Sequence, residues 1–283
     1  MGVSNLKKTD VWIIIAWALA FSYLSYSLFP IYWMFVTSLK DNTTAYKMPP
    51  DFLPLKPTLN SYFKLFTSDR TVLHFFFNSL VISGGVVLVC LICGLLGGYA
   101  LSRLRSKLSR FLTILILVSQ MFPLAVLSIP LYTYFFKLHL LDTYGSVILT
   151  HSAIALPLCI WLLKGFFDTI PIELEEVAKI DGCGRWMIFT RIVLPLVIPG
   201  MITAAVFAFL TSWREFLFAL IFTTTEASRP LSPGIAVYYL GFTSIRWPDV
   251  MATSILACIP LFIIYIFLQK YVISGLTAGA VKG

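Results

Sequence analysis

The fifth apolar run of the chain carries Trp213-Arg214-Glu215-Phe216, an aromatic, a cation, an anion and a second aromatic in succession. Ionisable groups inside an apolar run of membrane length are costly unless they face water, protein or each other. An aromatic beside polar groups suits a sugar, whose apolar face stacks on a ring while charges bind its hydroxyls. Arg214 adds a planar fork that fits a carboxylate or phosphate. The plainer alternative is an ion pair of Arg214 with Glu215 or with a carboxylate of another subunit. Gln120 is a further polar residue in an apolar run, placed either along a solute path or in a bond to a neighbouring helix.

Nothing else has the pattern of catalysis. His74, His139 and His151 are the only histidines, and none stands in His-Glu-x-x-His. The chain has no Gly-x-Ser-x-Gly and no Gly-x-x-x-x-Gly-Lys-Ser/Thr to cradle phosphates. His74 and His139 fall in or beside connections and His151 near the end of a run, where interfacial roles are expected. Cys90 and Cys93 have the spacing of a redox or metal pair, but no second pair and no histidine stand near them. With Cys159, Cys183 and Cys258 they make an odd number, most of it inside apolar runs, where cysteine behaves as a small hydrophobe. The expectation is a chain with no catalytic residue, no metal ligand and no cofactor of its own.

The elements that must position these residues follow from composition. The apolar set makes up 59% of 283 residues, with only 21 basic and 13 acidic side chains, where a soluble domain carries about a quarter charged. A hydrocarbon core of about 30 Å takes about 20 apolar residues per helix. Six runs meet that need: 11–37, 76–101, 111–136, 145–167, 200–223 and 250–273. They lack the alternation of a barrel, so the expected fold is all-α, six transmembrane helices in a single domain over 1–283. Gly94 and Gly98 form a small-xxx-small pair for close helix approach, and Pro123, Pro130, Pro157 and Pro260 should bend or locally unwind their helices. The net charge of +8 is spread in small groups between the runs, so topology explains it better than nucleic acid. Arg103, Arg105, Lys107 and Arg110 crowd one short connection and only Lys137 lies in the next. The crowded side should be cytoplasmic, with both termini there, Lys7, Lys8 and Lys282 included. The segments 40–75 and 224–249 then lie outside, where each is either a simple connection or a surface for a partner.

The stretch 168–199 is the most polar of the chain. Pro171 suits a first helical turn, and Glu173, Glu175 and Glu176 complement its positive end. Gly182 sits where a left-handed stop is wanted, so a short helix is predicted from about 171 to 181. Leu174, Val177, Ala178 and Asp181 follow helical spacing and give one largely apolar stripe for a partner or for the membrane domain. A second helix should follow, with Trp186, Ile188, Phe189 and Ile192 as its apolar residues and Pro195 closing it. Two short helices joined at a glycine make a knob, a coupling loop between the fourth and fifth spans.

Glu176-Val177-Ala178, three residues, Gly182, nine residues, Ile192, one residue, Leu194-Pro195 resembles the Glu-Ala-Ala loop of binding-protein-dependent ABC importer permeases. It departs from that loop only in Val177, where the family usually has alanine. The stretches Gly98 to Arg103, Gln120 to Pro123, Ile129 to Tyr132, Trp213 to Leu220 and Gly275 to Gly283 resemble the carbohydrate branch, the maltose-type second permease subunit. The family often has asparagine where Arg214 stands, and set against that resemblance the departure points to an anionic sugar such as a uronate oligomer or a sugar phosphate.

The resemblance implies a permease subunit in a bacterial-type cytoplasmic membrane. It implies pairing with a different, homologous permease, with two ATPase subunits that hold ATP and Mg, and with an extracytoplasmic binding protein that delivers a saccharide. It further implies that Glu176, Val177, Ala178, Asp181, Gly182, Ile192, Leu194 and Pro195 couple to an ATPase. Trp213, Arg214, Glu215 and Gln120 remain candidates for the substrate path. A permease for another solute class and a self-sufficient secondary transporter are the competing readings. The latter predicts inverted halves, and no internal repeat is visible in the chain.

Overall fold

The computed structural model describes residues 8–67, 70–104, 106–240 and 245–280, with side chains from 12 to 267. The charges expected at Lys7, Lys8, Arg105 and Lys282, and the side chains of the 275–283 tail, lie outside the described residues. Among those described, every regular element is helical.

The chain divides into two compact units. The first holds α1 (Lys8–Ser38), α2 (Asn42–Ala45), α3 (Asn60–Thr67) and the first turns of α14 (Trp247–Ala280). Its proline-rich segment folds back on the end of α1. Tyr32 donates to the Phe52 carbonyl at 2.6 Å, Lys40 Nζ to the Asp51 carbonyl at 2.5 Å, and Lys40 Nζ sits 4.8 Å over the Trp33 ring. Asp249, at the start of α14, gathers this unit by accepting from Ser61 Oγ at 2.7 Å and pairing with Arg246 at 2.9 Å.

The second unit holds α4 (Arg70–Arg103) from residue 71, α5 (Lys107–Val118), α6 (Leu124–Lys137), α7 (Tyr144–Asp168), α8 (Glu173–Ile180) and α9 (Arg185–Ile188). It continues through α10 (Leu194–Leu196), α11 (Ile198–Trp213), α12 (Leu217–Phe222), α13 (Leu231–Leu240) and the later part of α14. Ser106 and Thr143 cap α5 and α7 by accepting from Ser109 N–H at 3.3 Å and Ser146 N–H at 3.4 Å. α7 packs along α11, and its buried side, Val147, Ala155, Cys159, Leu163 and Phe167, forms the centre of the core. α4 reaches α7 through its glycines. A Cβ on Gly98 would stand 3.0 Å from the Lys164 backbone nitrogen, and one on Gly94 2.9 Å from the Leu163 side chain.

Among the described residues, four helices are long and apolar enough to cross a membrane: Trp12–Ser38, Arg70–Arg103, Tyr144–Asp168 and Trp247–Phe267. The number becomes six if each of two bent pairs is one span. The expected third run is not straight. It turns by 91° between Lys107–Met121 and Leu124–Lys137, where Pro123 follows a short 3₁₀ turn and cannot donate to it. Pro130, Pro157 and Pro260 instead stay inside their helices. The expected fifth run, 200–223, is also interrupted, stopping at 214–216 before α12. Ahead of it the chain bends by 76° between Arg185–Leu196 and Ile198–Trp213, where Pro195 and Pro199 remove N–H donors from successive turns.

Candidate functional site

The first helix of the knob, α8 (Glu173–Ile180), lies within the stretch 171–181 where a short helix was expected. α8 ends in a Schellman arrangement, with Cys183 N–H donating to the Ala178 carbonyl at 2.9 Å and Gly182 N–H to that of Lys179 at 3.1 Å. Gly182 has φ +83°, a conformation open to glycine and strained for other residues. The second helix is only α9, followed by a wider π turn from Phe189 to Val193, since Pro195 has no N–H to offer the Arg191 carbonyl. Ala178, Ile188 and Phe189 are buried in the core, with Ile192 and Leu194 packed partly against it. Leu174, Val177, Ile180 and Trp186 are exposed. The stripe therefore divides: Ala178 attaches the knob to its own chain, while Val177 points away beside exposed Glu176, Asp181 and Pro195.

One residue fastens the knob. Glu175 is buried and accepts from Tyr99 Oη at 2.7 Å and from Arg103 Nε at 2.6 Å, both on α4. Arg103 Nη1 also donates to the Phe167 carbonyl and to Ser102 Oγ, each at 3.1 Å, and Ser102 donates to Asp168 at 2.6 Å. Glu175 was legible only as an acid suited to a helix start. In the structure it forms an ion pair with Arg103, expected only as a charge on the cytoplasmic side, and a hydrogen bond with Tyr99, whose only signal was its place in the Gly98 to Arg103 stretch.

The break at 214–216 has its own physical cause. Glu215 turns its carboxylate onto the start of α12, accepting from Phe218 N–H at 3.0 Å and Ala219 N–H at 3.1 Å. His151 Nε2 lies 2.8 Å from Glu215 Oε2 in an off-axis electrostatic contact, and its Nδ1 lies 2.9 Å from Ser212 Oγ, which accepts from Ser83 at 3.3 Å. His151 is 1% exposed in the body of α7. The interfacial role expected for it is therefore corrected: Pro157 does not end the helix, and the imidazole meets a charge deep in the fold.

The pairing of Arg214 with Glu215 is absent too, because Glu215 is engaged elsewhere. Arg214 is exposed and forms no ion pair among the described residues. Trp213 is buried, stacked on Phe209 at 5.3 Å and edge-on to Phe76 at 5.7 Å, with Nε1 donating to the Ala257 carbonyl at 3.1 Å. Its ring is closed to a solute in this conformation, while Phe216 is exposed. Gln120 donates to the Ile154 carbonyl at 2.8 Å, three residues from His151 on α7. Of the path candidates, the structure thus brings Trp213, Arg214 and Glu215 to one break and attaches Gln120 to the helix behind it.

A third cluster lies at the opposite end of α7. Asp142, at φ +59°, accepts from Thr224 N–H at 2.6 Å, from Thr225 N–H at 2.8 Å and from the Thr224 hydroxyl. Burial pushes its carboxyl up, yet these bonds prevail and hold it below the usual carboxylate range. Arg229 Nη2 donates to the Thr224 carbonyl at 2.6 Å, and Asn78 Nδ2 to that of Arg229 at 2.9 Å. The segment after α12 is in this way tied to α4 and α7. Cys90 is buried and Cys93 exposed, so the two do not share a site. No group of three or more His, Cys, Asp or Glu gathers among the described residues.

The family described as "Binding-protein-dependent transport system inner membrane component" matches residues 91–278. The sulfoquinovosyl glycerol transport system permease protein SmoH of Agrobacterium fabrum is 37% identical over 256 residues, 90% of this chain and 89% of that one. The trehalose/maltose transport system permease protein MalG of Thermococcus litoralis is 38% identical over 259 residues, 90% of this chain and 92% of that one. Among solved structures, a bacterial ABC transporter involved in the import of the acidic polysaccharide alginate has a chain of the same fold. Its TM-score is 0.80 at 22% identity, covering 95% of this chain and 99% of that one. On the match through 91–278 and the near full-length likeness to permease proteins, the chain belongs to the family of binding-protein-dependent transport system inner membrane components.

Proposed function

We propose that this chain is the permease subunit of an ATP-driven importer that takes up a saccharide delivered by an extracytoplasmic binding protein. One permease domain over 1–283 spans a bacterial-type cytoplasmic membrane with both termini inside. It pairs with a second, homologous permease, and two ATPase subunits bind ATP and Mg and supply the hydrolysis. The observation that carries this reading is the knob: a short helix pair fastened to the body by Glu175 and Ala178, with Glu176, Val177 and Trp186 left exposed. ATP drives transport only if the closed ATPase dimer contacts the inward-facing and outward-facing bundles differently. Val177 and Glu176 form that contact, and Gly182 sets the angle at which they are presented.

The saccharide is anionic. Support comes from Arg214, exposed and unpaired among the described residues beside exposed Phe216, since a lone guanidinium in an apolar span needs water or an anion. The likeness to a sulfoquinovosyl glycerol permease and to a transporter of an acidic polysaccharide agrees with it. Glu215 caps the break and Gln120 borders the same path.

The test is co-purification of the chain with its neighbours, followed by ATP turnover with charged and neutral saccharides. Glu176→Lys and Gly182→Pro are expected to leave the subunit inserted and to lower saccharide-stimulated hydrolysis by about tenfold, the scale of one lost interfacial contact. Coupled transport at the normal rate in both variants, or transport that persists without ATP, overturns the reading.

A further inference from the structure

We infer that His151 sets the charge preference of the path by keeping the Glu215 carboxylate occupied, so that the neighbouring Arg214 stays free for an anionic solute. The inference rests on the reading of Arg214 as a path residue, and it assigns a specificity role to a residue that cannot itself touch the solute.

The geometry leaves Glu215 little spare capacity. A carboxylate has about four acceptor directions, and the N–H groups of Phe218 and Ala219, at 3.0 and 3.1 Å, take one on each oxygen. His151 Nε2 at 2.8 Å takes up the inner side of Oε2. Behind it Ser83 Oγ donates to Ser212 Oγ at 3.3 Å, and Ser212 Oγ lies 2.9 Å from His151 Nδ1, which holds the ring with Nε2 facing the carboxylate. Ser212 and Glu215 belong to the end of α11 and the break, Ser83 to α4 and His151 to α7. The imidazole therefore acts as a latch between three elements, nine-tenths and more buried, and it holds the anion away from its sequence neighbour.

An adjacent carboxylate is the natural partner for an arginine in a medium of low dielectric. Once His151 is removed, Glu215 keeps its two backbone donors and loses the imidazole contact. The long side chain of Arg214 then reaches it, and the guanidinium that would have met a solute carboxylate is neutralised from within. Selectivity shifts toward neutral saccharides with no change in any residue that lines the path.

The experiment uses the assembled transporter in proteoliposomes, with liganded binding protein at saturation so that its own affinity drops out. The probes are a uronate oligosaccharide and its carboxyl-reduced, neutral counterpart, and the readout is the ratio of their uptake rates. His151→Phe is expected to lower the acidic-to-neutral ratio about tenfold, the effect of one charge-assisted hydrogen bond. His151→Gln, which keeps a donor for the carboxylate, retains most of the preference. His151→Phe with Glu215→Gln restores it, because no internal anion then competes for Arg214. If His151→Phe slows both solutes equally, or the double variant restores nothing, the inference is overturned and His151 is a packing residue. Arg214→Ala separates the two levels: an unchanged ratio in that variant removes Arg214 from the path and takes the underlying reading down with it. A complex that fails to assemble with His151→Phe leaves His151→Gln and Arg214→Ala to decide. Loss of preference in an assembled His151→Gln complex counts against the latch.

Discussion

A buried carboxylate with a tyrosine on one oxygen and an arginine on the other is asymmetric in what it tolerates. Removing the acid leaves the Arg103 charge partly buried, with one Nη already lacking a partner, and breaking such a pair costs about 3 kcal/mol or more. Glu175→Ala is therefore expected to lower the thermal stability of the assembled complex and to uncouple hydrolysis from saccharide, while Glu173→Ala, two positions earlier and exposed, changes neither. Equal melting temperatures for the two variants would show that the pair does not fasten the knob. The exposed Glu176 and the buried Glu175 differ by one position in the chain, and helical phase alone decides which of them meets the body and which is open to a partner.

At the scale of helices, the approach of α4 to α7 depends on the missing side chain at Gly98. A Cβ there would meet backbone atoms, the Lys164 nitrogen at 3.0 Å and the Ile160 carbonyl oxygen at 3.2 Å, and backbone yields less readily than a rotamer. Gly98→Val is expected to part the helices and destabilise the chain by about 1–3 kcal/mol. Gly84→Ala, where nothing lies within 4 Å, serves as the control and is expected to be neutral or slightly stabilising. Thermal unfolding in detergent with a fluorescent thiol or tryptophan probe compares them, and equal stability for both variants would defeat the argument. The glycine pair, the knob helix and its left-handed stop were legible because each rests on local rules of spacing and backbone conformation. The breaks at 122–123 and 214–216 were less so. Pro123 announced a bend without its size, and the contact of Glu215 with His151 joins residues 64 positions apart in the chain. Separation in sequence likewise hid the closure of Trp213 by Phe76, 137 positions earlier, and the burial of Ala178 by its own chain.

For the molecule as a whole, Asp142 offers a handle on pH. Its carboxyl is held below the ordinary range by the Thr224 and Thr225 donors, so it binds a proton less readily folded than unfolded. The stability it contributes is full above the ordinary carboxylate pKa, about 3.9, and is lost as pH falls through the lower folded value. The difference in melting temperature between the native chain and Asp142→Asn is expected to be largest near neutral pH and to shrink below about pH 4. A constant difference across that range would mean that the clamp does not depend on charge. The Arg103 guanidinium has a consequence of another kind. A single flat side chain ties the last turn of α4, the carbonyl of Phe167 and the knob acid together, so that end of the bundle has no slack to absorb a pull. A displacement imposed on the short helix is therefore expected to reach α4 and the end of α7 together.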